Sequence, residues 1–206
     1  MLLLFDYDGV LADTFQVFLD IFIETQRSLG TGRLPTVEDA VSLQEQSFKG
    51  VAEIIGIPEN LIPRFVTDAT ERLNEKMTRV NLFPEIPPIL KSLAQKHDIC
   101  IITLNKISFI TETLMSYRVL DTIAKIYGHE TGLTKTECIT VAQSAFGADA
   151  DTTYFIGDAV SDLRAAKQAG VKTVAATWGF QDRNMLLRET PNVIANNPDE
   201  LIEIFG

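Results

Sequence analysis

Apolar residues run without a break from Leu2 to Phe5 and stop at Asp6, Asp8 and Gly9. A short continuous apolar run reads as a strand buried on both faces, the usual state in a parallel sheet. Similar runs occur at Ile99–Thr103, Ile123–Tyr127, Thr153–Ile156, Val171–Ala176 and, more briefly, Val193–Ala195. Between them apolar residues recur at three- and four-residue spacing, the mark of a helix with one buried face. This predicts helices over Ile86–Leu93, Ile107–Tyr117, Lys135–Phe146, Asp162–Ala169 and Asn184–Arg188, and a last one from Pro198. Strands alternating with helices imply a parallel sheet with right-handed crossovers.

The stretch from Thr14 to Val80 breaks that rhythm, with no convincing strand. Phe15, Phe18, Leu19, Phe22, Gln26 and Leu29 mark one amphipathic helix, stopped by Gly30 and Gly32. Pro35 and Thr36 open a second, with Asp39 placed for a capping box. A third runs from Ser47 to Ile55 and ends at Gly56. Pro58 and Pro63 bracket the entry to a fourth, which carries Phe65, Ala69, Leu73 and Met77 on one stripe. The expected class is therefore α/β. A Rossmann-like parallel core is built from residues 1–13 and 81–206, with an all-helical insertion at 14–80.

Composition narrows the setting more than the fold. The chain has 206 residues, 46% hydrophobic and 22% charged, which suits one domain with an insertion or two small domains. A net charge of −10 and the lack of a long basic run argue against nucleic acid or an anionic membrane as partner. Cys100 and Cys138 lie in apolar contexts with no spaced framework, so a reduced compartment is expected. The run Leu2–Phe5 is too short for a signal peptide, and no run approaches a membrane span. The expectation is a cytoplasmic protein, monomeric or homodimeric.

The chemistry lies just past each predicted strand, because ligands of open α/β sheets bind beyond the strands' carboxyl ends. The first strand ends in Asp6 and Asp8, which start on one side of an extended chain with Tyr7 between them. The second ends in Thr103, with Asn105 and Lys106 close behind. A loop after the third leads to Lys135 at a helix start, and the fourth ends in Gly157-Asp158 with Asp162 four residues on. Taken alone, Asp6 and Asp8 fit a solvated acidic turn, and Asp158 and Asp162 fit a helix cap and a first-turn acid. Gathered at one sheet edge, four carboxylates raise one another's pKa. A divalent cation relieves that, and all-oxygen ligation suits Mg²⁺. A carboxylate left free of the metal can be a nucleophile, and a protonated neighbour can be a general acid. A hydroxyl and an ammonium suit the outer oxygens of a phosphoryl group. The implied chemistry is phosphoryl transfer to a carboxylate, then to water.

The run Asp6-Tyr7-Asp8-Gly9-Val10 with Asp13, then Thr103, Lys135 and the Gly157-Asp158…Asp162 pattern, resembles the motif set of the haloacid dehalogenase (HAD) superfamily. The likeness is to its phosphoglycolate phosphatase and β-phosphoglucomutase branch. It covers nearly the whole chain, including Ala165, Ala166, Ala169-Gly170 and the Trp178-Gly179 region. The resemblance implies that Asp6 is the nucleophile and forms an aspartyl-phosphate. Asp8 would be the general acid and base, Thr103 would hydrogen-bond the phosphoryl group, and Lys135 would neutralise it. Mg²⁺ would be held by Asp6, the Asp8 backbone carbonyl and Asp158, with Asp162 ligating or orienting a metal-bound water. The helical insertion would be a mobile cap.

Two positions depart from the family pattern. Leu104 stands between Thr103 and Asn105, and Thr136 rather than proline comes after Lys135, which leaves Lys106 as a rival cation. Asn105 and Lys49 are the expected substrate contacts, with Arg27, Arg33, Arg64 and Arg72 as unranked further cations. Trp178 and Phe180 are expected to pack near the sheet edge. The implied function is a Mg²⁺-dependent phosphatase for a small phosphomonoester, with 2-phosphoglycolate as nearest family precedent. A phosphomutase and a non-enzymatic phospho-acceptor are the alternatives. A dehalogenase would need neither metal nor Asp8.

Overall fold

The computed structural model describes residues 1–43, 47–77 and 80–206. Its strands are β1 (Leu2–Phe5), β2 (Asp98–Ile102), β3 (Lys125–Tyr127), β4 (Thr153–Gly157), β5 (Lys172–Ala176) and β6 (Val193–Ala195). All pair in parallel, in the order β3-β2-β1-β4-β5-β6. The continuous apolar run of β1 is explained by this central place, because each face of the strand has its own core. Leu3 and Phe5 enter one hydrophobic cluster, and Leu2 and Leu4 enter the other. Each such side chain contributes roughly 1.5–3 kcal/mol through burial.

The first helices are α1 (Phe15–Leu29), α2 (Val37–Ser42), α3 (Phe48–Ile54) and α4 (Ile62–Lys76). Then come α5 (Ile86–Leu93), α6 (Ile107–Ser116), α7 (Lys135–Phe146), α8 (Val160–Gln168), α9 (Arg183–Arg188) and α10 (Glu200–Phe205). One sheet face is covered by apolar residues of α5, α6 and α10, and the other by those of α7 and α8. The helices α1, α3 and α4 share a third cluster of their own, built on Ile21, Phe22, Val51, Ala52, Phe65 and Ala69. The chain is thus a Rossmann-like parallel core with a helical insertion after β1. Among the described residues, no helix is long and apolar enough to cross a membrane.

Several boundaries differ from the sequence expectation, and two of the shifts have a local cause. The helix α8 begins at Val160 rather than Asp162, because Asp162 sits within its first turn and takes the Ala159 N–H on Oδ2 at 3.2 Å. The strand β3 begins at Lys125 rather than Ile123, because Leu120–Thr122 form a short 3₁₀ turn that ends against it.

Candidate active site

The strand order reverses between β1 and β4, and the crevice at such a switch point is where ligands bind in open α/β sheets. Asp6 and Asp158 extend these two strands. The Asp6 N–H continues the ladder to the Ile156 carbonyl at 2.9 Å. Beyond Asp8 the chain turns tightly, with the Leu11 and Ala12 N–H groups both donating to the Tyr7 carbonyl. Gly9 makes that turn at φ +71°, and a Cβ there would lie 2.2 Å from Asp158 Oδ2. A Cβ on Gly179 would lie 2.3 Å from the same oxygen. Only glycine fits on either side of that carboxylate.

Asp6, Asp158 and Asp162 are buried, and each offers a carboxylate oxygen within 4.8 Å of the others. Lys135 joins two of them, 2.9 Å from Asp6 Oδ2 and 2.5 Å from Asp162 Oδ1. It stands first in α7, whose start is fixed by a reciprocal capping box between Thr134 and Glu137. The competing lysine, Lys106, instead lies over the Phe109 ring at 5.5 Å.

One ammonium does not balance this much buried negative charge. Burial pushes the Asp6 carboxyl up to about 7, against the pull of Lys135 and with a further push from Asp162 and Asp8. Burial, then Asp162 and Asp6, raise Asp158 well above the usual carboxylate range. Burial favours a neutral Lys135, yet Asp162 and Asp6 more than reverse this and raise its pKa. A buried, all-oxygen donor set with uncompensated negative charge fits a hard divalent cation such as Mg²⁺.

Asp8 sits beside this cluster with a different set of partners. Asn105 Nδ2 donates to its Oδ2 at 2.5 Å, while its Oδ1 is buried without a hydrogen-bond partner among the described residues. Burial raises the Asp8 carboxyl to about 6, and the nearby Thr14 hydroxyl and the Asn105 amide limit the rise. The extra residue Leu104 does not displace Asn105. The Asn105 N–H donates to Thr103 Oγ1 at 3.1 Å, and this tight turn sends Leu104 outward at 66% exposed while Asn105 turns in.

The site residues expected from sequence therefore divide in two. Asp6, Asp158, Asp162 and Lys135 are joined directly, Asp8 and Asn105 form a second pair, and Thr103 is buried and tied to Asn105. Lys49 is exposed on α3, and its ion pair among the described residues is with Glu53 at 3.6 Å. Arg33, Arg64 and Arg72 likewise face Asp39, Asp68 and Glu24 within the insertion. Sequence reasoning missed Gln181 and expected of Phe180 only packing near the sheet edge. The Phe180 N–H donates to Asp158 Oδ2 at 2.6 Å, and its ring packs edge-on against Phe15 and Phe18 of α1. Trp178 packs against the core and donates to the Val10 carbonyl at 3.1 Å. The only signal for these contacts was a glycine followed by an aromatic residue directly after a strand.

Comparison with known proteins bears on the family and the fold. A model of the haloacid dehalogenase-like hydrolases matches residues 3–176. A phosphoglycolate phosphatase of Synechococcus elongatus is 24% identical, over 98% of this chain and 95% of that protein. An N-acetylmuramic acid 6-phosphate phosphatase of Pseudomonas aeruginosa is 25% identical, over 98% of this chain and 93% of that protein. A solved haloacid dehalogenase-like family hydrolase from Streptococcus pneumoniae superposes with a TM-score of 0.88 at 23% identity, covering 100% of this chain and 98% of that one. The motifs at the strand ends, the sheet order and the matched family model all lead to one assignment: the chain belongs to the haloacid dehalogenase-like hydrolase family.

Proposed function

We propose that this hydrolase is a Mg²⁺-dependent phosphatase that cleaves a small phosphomonoester through an aspartyl-phosphate on Asp6. The observation that carries the reading is the contrast between two neighbouring carboxylates. Asp6 lies among Asp158, Asp162 and Lys135, whereas Asp8 is held on one oxygen by Asn105 and has no hydrogen-bond partner on the other among the described residues. Asp6, Asp158 and the Asp8 backbone carbonyl would hold the cation, with Asp162 ligating or orienting one of its waters. Bound there, Mg²⁺ supplies charge neutralisation for Asp6 and for the phosphoryl oxygens. Lys135 lowers the repulsion that Asp6 would otherwise present to a phosphate, and the Thr103 hydroxyl donates to a phosphoryl oxygen. Asp6 attacks phosphorus, and Asp8 gives its proton from Oδ1 to the departing alkoxide. Asp8 then accepts a proton from the water that attacks the acyl phosphate, which returns Asp6 and releases phosphate. A pKa near 6 suits a group that must both give and take a proton close to neutrality.

The helical insertion, residues 14–80, is read as the lid that covers this site and sets the substrate. Lys49 is the proposed contact for an anionic leaving group, because its exposed pair with Glu53 holds it only weakly. Asn105 acts mainly by orienting Asp8. Relatives named for phosphoglycolate and for a sugar phosphate make 2-phosphoglycolate the first substrate to try, with sugar phosphates next.

The test is phosphate release from a panel of phosphomonoesters, with Mg²⁺ and with a chelator. Release that needs the metal and concentrates on one compound is the expected result. Conversion of a sugar phosphate to its isomer without free phosphate would make the protein a mutase. A stable aspartyl-phosphate without turnover would make it a phospho-acceptor.

A further inference from the structure

Phe180 and Gln181 come after β5, and both connect the carboxylate cluster to the helical insertion. Gln181 is 2% exposed, and the two ends of its amide have different partners. Its Oε1 accepts the Val160 N–H at 2.6 Å. Val160 heads α8, midway between Asp158 and Asp162, and the N-cap residue there is Ala159, which has no side-chain oxygen. Gln181 supplies an acceptor for one of the four N–H groups at the helix start that have no intrahelical partner. Its Nε2 donates to the Leu43 carbonyl, directly after α2 in the insertion. Phe180 forms a parallel tie, with its N–H on Asp158 Oδ2 and its ring 5.3 Å from Phe15 and 5.8 Å from Phe18.

We infer that Gln181 is a positioning residue whose side-chain amide latches the closed lid to the turn carrying Asp158 and Asp162. The inference rests on reading residues 14–80 as a lid. When the lid opens, the Leu43 carbonyl leaves and the amide loses one of its two anchors, so the lid's state and the order of the first turn of α8 are linked. A glutamine suits this task because it accepts at one end and donates at the other. Asp158 and the Phe15–Phe18–Phe180 ring group then come to their final positions together.

Gln181→Glu separates the two bonds. Assayed at about pH 9, where its carboxyl is ionised, a glutamate still accepts from Val160 but cannot donate to Leu43. Gln181→Met keeps the volume and loses both bonds. The readouts are hydrogen exchange and a KM-against-kcat split with p-nitrophenyl phosphate. In Gln181→Glu, exchange in residues 37–42 and 48–54 should quicken about tenfold while β1 and β4 keep their protection. KM should rise about tenfold, with kcat within about threefold, because substrate at saturation restores the closed population. Gln181→Met should share the KM rise and lower kcat further through the loosened turn. Wild-type exchange and wild-type KM in Gln181→Glu would overturn the inference and leave Gln181 as a helix cap alone. If the parent protein itself releases no phosphate, the phosphatase reading fails, and the exchange comparison still decides whether the latch exists.

Discussion

Asp6 at the sheet edge and Asp39 in the helical insertion are each 7% exposed, yet they titrate in opposite directions. The two Arg33 guanidinium nitrogens reach both oxygens of Asp39 at 2.5 Å, and the Thr36 N–H donates to it at 2.8 Å. Those bonds, led by Arg33, hold its carboxyl down at about 2. Asp6 is pushed up to about 7 by burial, and the Lys135 ammonium beside it is shared with Asp162. Asp39 is satisfied by the fold, and its work is to start a helix. Asp6 is left short of positive charge, which the proposed cation would supply. The two share one solvent exposure but not one depth: desolvation leads at Asp6 and the Arg33 hydrogen bonds lead at Asp39, which fits a structural role for Asp39 and the proposed reactive role for Asp6.

The largest effect is expected from removing the proposed nucleophile. Asp6→Asn should lower phosphate release on the order of 10⁴-fold or more, as loss of a nucleophile does. Asp8→Asn should cost about 10²–10⁴-fold, the range for general acid–base catalysis, and leave Mg²⁺ affinity little changed. Equal turnover by Asp8→Asn and its parent would remove Asp8 from the proton path.

Lys135→Met comes next, with an expected loss of about 10²–10³-fold in turnover, as for a removed electrostatic stabiliser. It should also sharpen the contrast in pH dependence. The folded chain holds a proton on Asp6 more tightly than an ordinary carboxyl at 3.8, so the stability this contributes is present below about pH 4. It is lost as pH rises through about 7. Without Lys135 the repulsion deepens. The melting temperature of the metal-free variant should therefore fall further behind the parent at pH 7.5 than at pH 5. Asp39 runs the other way, since its depressed pKa contributes stability above about pH 4 that is lost as pH falls toward about 2. A gap that is constant from pH 5 to 7.5 would mean that Asp6 is not held in an unbalanced field.

The smallest effect belongs to the structural partner. Thr36→Ala removes the N-cap of α2 and should cost about 1 kcal/mol in thermal unfolding. Turnover should stay within about twofold of the parent.

The two regions also differ in how far sequence alone carried. The ends of β1, β2 and β4 were legible because an unbroken apolar run has to stop where the chain leaves a doubly covered sheet. The residues that stop it are Asp6, Thr103 and Asp158. Lys135 was legible as a helix-start lysine, but its direction toward Asp6 depends on packing of α7 against the sheet. Asn105 was obscured by Leu104, because a local turn rather than sequence spacing decides which of the two faces inward. The capping box of α2 was visible in Thr36 and Asp39, whereas Arg33, three residues earlier in the loop, gave no periodic signal. Gln181 and Phe180 act on Val160 and Asp158, 21 and 22 residues away, and on the insertion, so no local pattern announces them.

The most direct test of the account is calorimetric titration of the metal-free protein with Mg²⁺ near pH 6.5, repeated in buffers of different ionisation enthalpy. If the buried carboxylates at Asp6 and Asp158 form an incomplete cation site, Mg²⁺ must displace protons from them as it binds. The predicted result is binding with proton release that diminishes toward pH 8 and disappears with Asp158→Asn. Binding with no proton release, or no binding by a fully folded chain, would contradict it.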